Sequence, residues 1–119
     1  MTVNERLIAA LSPLGFPVVS DLYTGDESEY ITFNYATRGA LFADDAPGVE
    51  SYFIQVHFLC AYDFDYVEPV NSIKRALFRA GFTWPEMVNA TGDYAEAAKE
   101  GRHYVFECEL AEGVADGEL

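Results

Sequence analysis

Residues 30–60, YITFNYATRGALFADDAPGVESYFIQVHFLC, decide the fold. At one end, residues 30–35 alternate Ile31, Phe33 and Tyr35 with Tyr30, Thr32 and Asn34, the period of two that a pleated strand imposes. At the other end, residues 52–60 put Ile54, Val56, Phe58 and Cys60 on one face. Phe53, Gln55, His57 and Leu59 share the opposite face, which is mixed and so expected to be only partly solvated. Between the two strands lies a thirteen-residue stretch, residues 36–48, that reads as a connection. Compact domains seldom carry structureless connections that long unless the loop has a job. This one holds Leu41 and Phe42, apolar side chains with no strand or helix pattern to set them against a core. It reads as an arm that meets another surface.

Outward from this stretch the pattern alternates between helix and strand. Thr2 followed by Glu5 fits a capping box, and Val3, Leu7, Ala10, Leu11 and Leu14 then share one helical face. Pro13 and Gly15 close that helix. Residues 16–23 read as a first strand and residues 24–29 as a turn. Pro69 suits the first turn of a second helix running to about Ala80, with Gly81 as its stop and Val70, Ile73, Leu77 and Ala80 as its apolar stripe. Residues 82–87 start another strand, which Pro85 confines to an edge or a bulge. Residues 89–101 form a polar connection with room for a short helix over 94–100. Residues 103–110 form the last strand, with Tyr104, Phe106, Cys108 and Leu110 inward. The order is α-β-β-β-α-β-β. Turn and loop connections favour antiparallel pairing, with both helices on one face of the sheet: an α+β fold. Residues 1–111 read as a single domain, and residues 112–119 as an acidic tail expected to be flexible.

Composition bounds what such a domain does. The chain has 119 residues, half of them apolar and 15% aromatic, too rich for intrinsic disorder. Seven Lys and Arg stand against twenty Asp and Glu, for a net charge of −13. Sequence-independent grip on nucleic acid depends on cations that neutralise phosphates, so this chain is a poor candidate for it. Anionic membranes are disfavoured for the same reason. An acidic wall along which a polyanion slides without sticking remains open. No charged leader followed by a long apolar run opens the chain, and no segment approaches the roughly 18 apolar residues of a membrane span. A soluble protein of a reducing compartment is expected, with Cys60 and Cys108 as core thiols.

The sequence carries no phosphate-cradling glycine motif and no zinc spacing. Asp63, Asp65 and Glu68 suggest a hard-cation loop, but the EF-hand glycine and glutamate positions hold Glu68 and Lys74. Carboxylates at a helix N-terminus account for them. A nucleophile pair of Cys60 with His57 or His103 is weakened because His57 falls on the face opposite Cys60. Asp44 and Asp45 are paired carboxylates without enforced geometry. They suit a contact with an arginine of another subunit, drawn from Arg38, Arg75, Arg79 and Arg102. Lys74, Arg75 and Arg79 form the one cationic cluster, a natural landing place for the acidic patch of another copy.

The run YITFNYATRGALFADDAPG, the strand YFIQVHF, the block IKRALFRAGFTWPE and the closing HYVFECE resemble a group of small prophage-encoded proteins of Gram-positive bacteria. Those proteins lie in tail-assembly gene blocks and are similar to phage tail terminator (tail completion) proteins. The likeness spans about residues 2–111. It implies a structural protein of the virion tail, assembled in the host cytoplasm and without catalytic residues or a cofactor. Such a subunit forms a homo-oligomeric, typically hexameric, ring. The ring caps the tail tube, joins it to the head connector, and lets DNA pass through its lumen. The assembly-interface candidates are then Arg38, Leu41, Phe42, Asp44, Asp45, Arg75 and Arg79. Three alternatives stay open: another minor tail or head-closure protein, an acidic DNA-mimic module of a mobile element, and a small enzyme using His57, His103 or the paired aspartates.

Overall fold

The computed structural model describes residues 2–39, 50–91 and 101–110. Helix α1 (Val3–Leu11) runs into a single 3-10 turn (Ser12–Leu14) and a short strand β1 (Val18–Ser20). Strands β2 (Tyr30–Gly39) and β3 (Glu50–Cys60) follow, then helix α2 (Val67–Arg79) and strands β4 (Glu86–Asn89) and β5 (Arg102–Leu110). The five strands form one sheet in the order β1-β2-β3-β5-β4. The architecture is α+β, and among the described residues the order of helices and strands roughly follows the apolar patterns.

Local chemistry explains where each helix begins and ends. Thr2 and Glu5 close a reciprocal capping box: the Glu5 N–H donates to Thr2 Oγ1 (3.1 Å) and the Thr2 N–H to Glu5 Oε1 (2.9 Å). The backbone hydrogen bond from Thr2 holds the Glu5 carboxyl below its ordinary pKa. Pro69 sits in the first turn of α2, where its missing donor goes unused. At the other end, Gly81 takes a φ of 105°. The Gly81 N–H donates to Phe78 O and the Phe82 N–H to Leu77 O, both at 3.1 Å. These are the paired bonds of a Schellman stop, and Leu77 and Phe82 seal it by burying together.

Period-two alternation then builds the core. Phe33 lies opposite Val56, and Val56 opposite Phe106, with all three fully buried. Val3, Leu7 and Leu11 of α1 and Val70, Ile73 and Leu77 of α2 join the same cluster, so both helices cover one face of the sheet. Cys60 and Cys108 are buried in it as free thiols. Among the described residues no helix is long and apolar enough to cross a membrane.

Four expectations are corrected. First, the connection after β2 starts later than residue 36. Residues 36–39 continue the strand and pair with residues 50–53, from Ala36 opposite Phe53 to Gly39 opposite Glu50. Second, β1 is three residues long because Asp21 turns into the left-handed region at φ 67°, which a short polar side chain tolerates. Third, β1 runs parallel to β2, whereas antiparallel pairing was expected. A three-residue strand is only about 10 Å long, so residues 21–29 can return the chain to its start without a helical crossover. Fourth, β4 begins beyond Pro85, which lacks the donor the ladder needs. Before it, Phe82 makes an isolated bridge to Leu110, and the Thr83 N–H donates to Glu109 O (2.9 Å). As its proline implies, β4 is an edge strand. The short helix expected over 94–100 and the tail 112–119 lie outside the described residues.

Gly101, which leads into β5, is buried and takes a φ of 153°. A Cβ there would collide with the Cys60 carbonyl, a backbone group that cannot swing aside as a flexible side chain would. Gly101→Ala is therefore predicted to lower unfolding stability by about 2–4 kcal/mol, read from urea unfolding at constant m-value.

Candidate functional site

The sheet face turned away from the helices carries a continuous row. Thr32 lies opposite His57, His57 opposite Val105, and Val105 opposite Val88, so β2, β3, β5 and β4 each contribute one side chain. Leu59 lies opposite His103, which places His103 diagonally beside His57. The rings meet: His57 Nδ1 is 2.9 Å from His103 Nε2, and the Asn34 side-chain amide nitrogen is 3.2 Å from His57 Nε2. The amide nitrogen can only donate, so His57 Nε2 accepts. A neutral His57 then carries its proton on Nδ1 and donates it to His103 Nε2. Hydrogen bonds thus run in one direction from Asn34 through His57 to His103. Thr32 and His103 are buried, at 8% and 6% exposure. Burial, and secondarily the neighbouring His103, push the His57 pKa below its ordinary value. The contact between the two facing ring nitrogens already holds its one proton, and a second there would set two N–H groups against each other.

On the other layer, α1 and α2 leave an open groove of about 560 Å3. Arg6, Ala9, Ala10, Pro13 and Leu14 form one wall, and Ser72, Arg75, Ala76, Arg79 and Ala80 the other. Arg6 Nη1 donates to the Ala80 carbonyl at the C-terminus of α2 (3.2 Å), where a cation complements the helix dipole. Arg75 reaches Glu68 Oε2 at 3.1 Å in a surface ion pair, with the two side chains 45% and 75% exposed. Such a pair contributes about 0–1 kcal/mol and exchanges readily for another carboxylate.

A third cluster lies at the β4 edge. Glu86 of β4 stands directly opposite Glu107 of β5, on the sheet face away from the helices. Phe53, Thr83, Trp84, Glu86, Glu107, Cys108 and Glu109 surround a recess of about 290 Å3 there. Trp84 is 53% exposed and meets Phe78 edge-on, with ring centroids 5.6 Å apart.

The predicted interface residues are distributed as follows. Arg75 and Arg79 lie together on the groove. Arg38 is in β2 opposite Ser51, its side chain outside the described set. Leu41, Phe42, Asp44 and Asp45 lie outside the described residues. Arg102, a further candidate partner for the aspartates, stacks over Tyr62 and Tyr66 (5.6 and 5.2 Å) and donates from Nε to Tyr62 O at 3.2 Å. Asp65 Oδ1 accepts from the Val67 N–H at the start of α2 (3.4 Å), in keeping with the helix-terminus reading of the 63–68 acids. Burial pushes the Cys60 thiol up to about 11, with Glu29 adding to the shift, and the Cys108 thiol up to about 12, with Glu109 adding to it. Both are held as thiols at neutral pH. Among the described residues no three His, Cys, Asp or Glu side chains converge on an ion position.

Two features escaped the sequence reading. The histidine contact joins residues 46 apart and depends on the β3–β5 register, which periodicity cannot supply. Its only trace is that both histidines fall on the outward parity of their strands. Arg6 escaped because one cation on a capped helix looks solvated until α2 packs beside it. No protein-family model matches the chain, and no curated protein is significantly similar to it.

The depressed His57 pKa makes stability pH-dependent. Above about pH 6.5 the ring is neutral in both states and the folded form keeps its full advantage. As pH falls through 6.5 the unfolded chain takes up a proton first, and stability is lost until the folded pKa is reached. The urea midpoint of the wild type is expected to fall between pH 7.5 and 5.5 more than that of His57→Gln. Equal changes would contradict this.

Proposed function

We propose that this chain is a structural phage tail-assembly protein, a subunit of a ring that caps a tail tube and joins it to a head connector. The particle-level role rests on the likeness to tail terminator proteins. What carries the self-association is the two-stranded ribbon formed by the ends of β2 and β3.

Among the described residues, strand β1 pairs with β2 only as far as Phe33, and β5 with β3 only as far as Tyr52. Residues 37–39 and 50–51 continue past both, hydrogen-bonded only to each other among the described residues. An isolated strand pair is marginal in water and needs a third strand or a packed helix. Ala36 and Thr37 are exposed, so this ribbon stands off its own core. A second copy or a tube subunit supplies the missing cover. The chain between the two strands brings Leu41 and Phe42 as apolar contacts and Asp44 and Asp45 as charges that set orientation. The net charge of −13 suits a wall past which DNA moves without adhering.

Native mass spectrometry and light scattering across a concentration series test this reading. The wild type is expected to form a closed oligomer. The double substitution Leu41→Ser with Phe42→Ser should leave the thermal midpoint unchanged and shift the population to monomer. A wild type that stays monomeric at every concentration, alone and with tail-tube subunits, would overturn it.

A further inference from the structure

We propose that the groove between α1 and α2 receives the Glu86–Glu107 pair of a second copy, so that copies join head to tail. The inference rests on the self-assembly reading above and adds to the ribbon a second contact between copies. Three of the chain's seven cationic side chains, Arg6, Arg75 and Arg79, line this one groove, in a molecule with twenty carboxylates. The net charge of −13 sets copies against one another, and this groove is where three guanidinium groups offset it.

The groove is shaped for side chains rather than for a flat contact. Its walls include Ala9, Ala76 and Ala80, which leave room between the arginines. Arg6 is fixed by its bond to the Ala80 carbonyl. Arg79 has no ion-pair partner among the described residues, and Arg75 holds only an exposed, exchangeable one.

The complementary surface carries an electrostatic liability of its own. Glu86 and Glu107 are cross-strand neighbours of like charge, an arrangement that destabilises a sheet. Gln55 relieves it in part by donating to Glu107 Oε2 at 3.1 Å, while Glu86 stays exposed. Two guanidinium groups from a neighbour would neutralise both carboxylates through charge-assisted bonds. The groove belongs to the helix layer and the acidic pair to the outer sheet face, so the contact is heterologous. Heterologous contacts propagate and, when the rotation closes, make rings.

The test is a charge swap followed by native mass spectrometry. One variant carries Arg75→Glu with Arg79→Glu, the other Glu86→Lys with Glu107→Lys. Glu86→Lys alone, on an exposed side chain, serves if the second variant does not fold. Each variant alone is expected to weaken self-association at least about tenfold with an unchanged melting curve, and an equimolar mixture to restore oligomers. A groove variant that assembles like the wild type, or a folded mixture that stays monomeric, overturns this contact while leaving self-assembly standing. A wild type that never associates removes both.

Discussion

Strand β3 is paired on both sides, with β2 over ten register positions and with β5 over nine, and the arrangement of the core follows from that double ladder. Because side chains alternate faces, the register decides at once which residues meet the helices and which meet the outside. A slip of one residue would turn Val56 and Phe58 outward and bring Gln55 and His57 into the core. The fully buried row of Phe33, Val56 and Phe106 makes such a slip prohibitive. The β3–β5 register also sets His57 beside His103, while the separate β4–β5 register sets Glu86 against Glu107.

How much of this could be read from the chain depends on the range of the forces involved. The capping box of α1, the Schellman stop at Gly81 and the inward faces of β2, β3 and β5 are local or periodic, and the sequence shows them. The parallel pairing of β1 with β2 depends on how short β1 becomes, which Asp21 decides through one backbone angle. Residues 36–39 look like loop because ATRG has no alternation of its own; the partner strand holds them extended. For the candidate surfaces, Arg75 and Arg79 are visible as a cluster because they lie one helical turn apart. Arg6 becomes part of the groove only through packing of two helices distant in sequence. The residues on which the arm reading leans most, Leu41 and Phe42, are legible only as unplaced apolar side chains.

The resulting molecule is polarised. One layer buries a continuous apolar core beneath two helices and gathers arginines in the groove between them. The other layer presents histidines, a glutamate pair and an edge strand. A ribbon of two strands extends past the sheet that supports it. Among the described residues these are a strand pair bonded only to itself at its end, a like-charge pair, and a groove lined by three arginines on an acidic chain.

The central claim is that the ribbon is completed by a neighbour and not by its own chain. Amide hydrogen exchange at low and high protein concentration reads this most directly. The account predicts fast exchange at Thr37, Arg38 and Ser51 in dilute protein, while Phe33 and Val56 stay protected, and slowing of the ribbon amides as oligomers form. Ribbon amides as protected as Phe33 in the dilute monomer, or unchanged when the mass shows assembly, would contradict it.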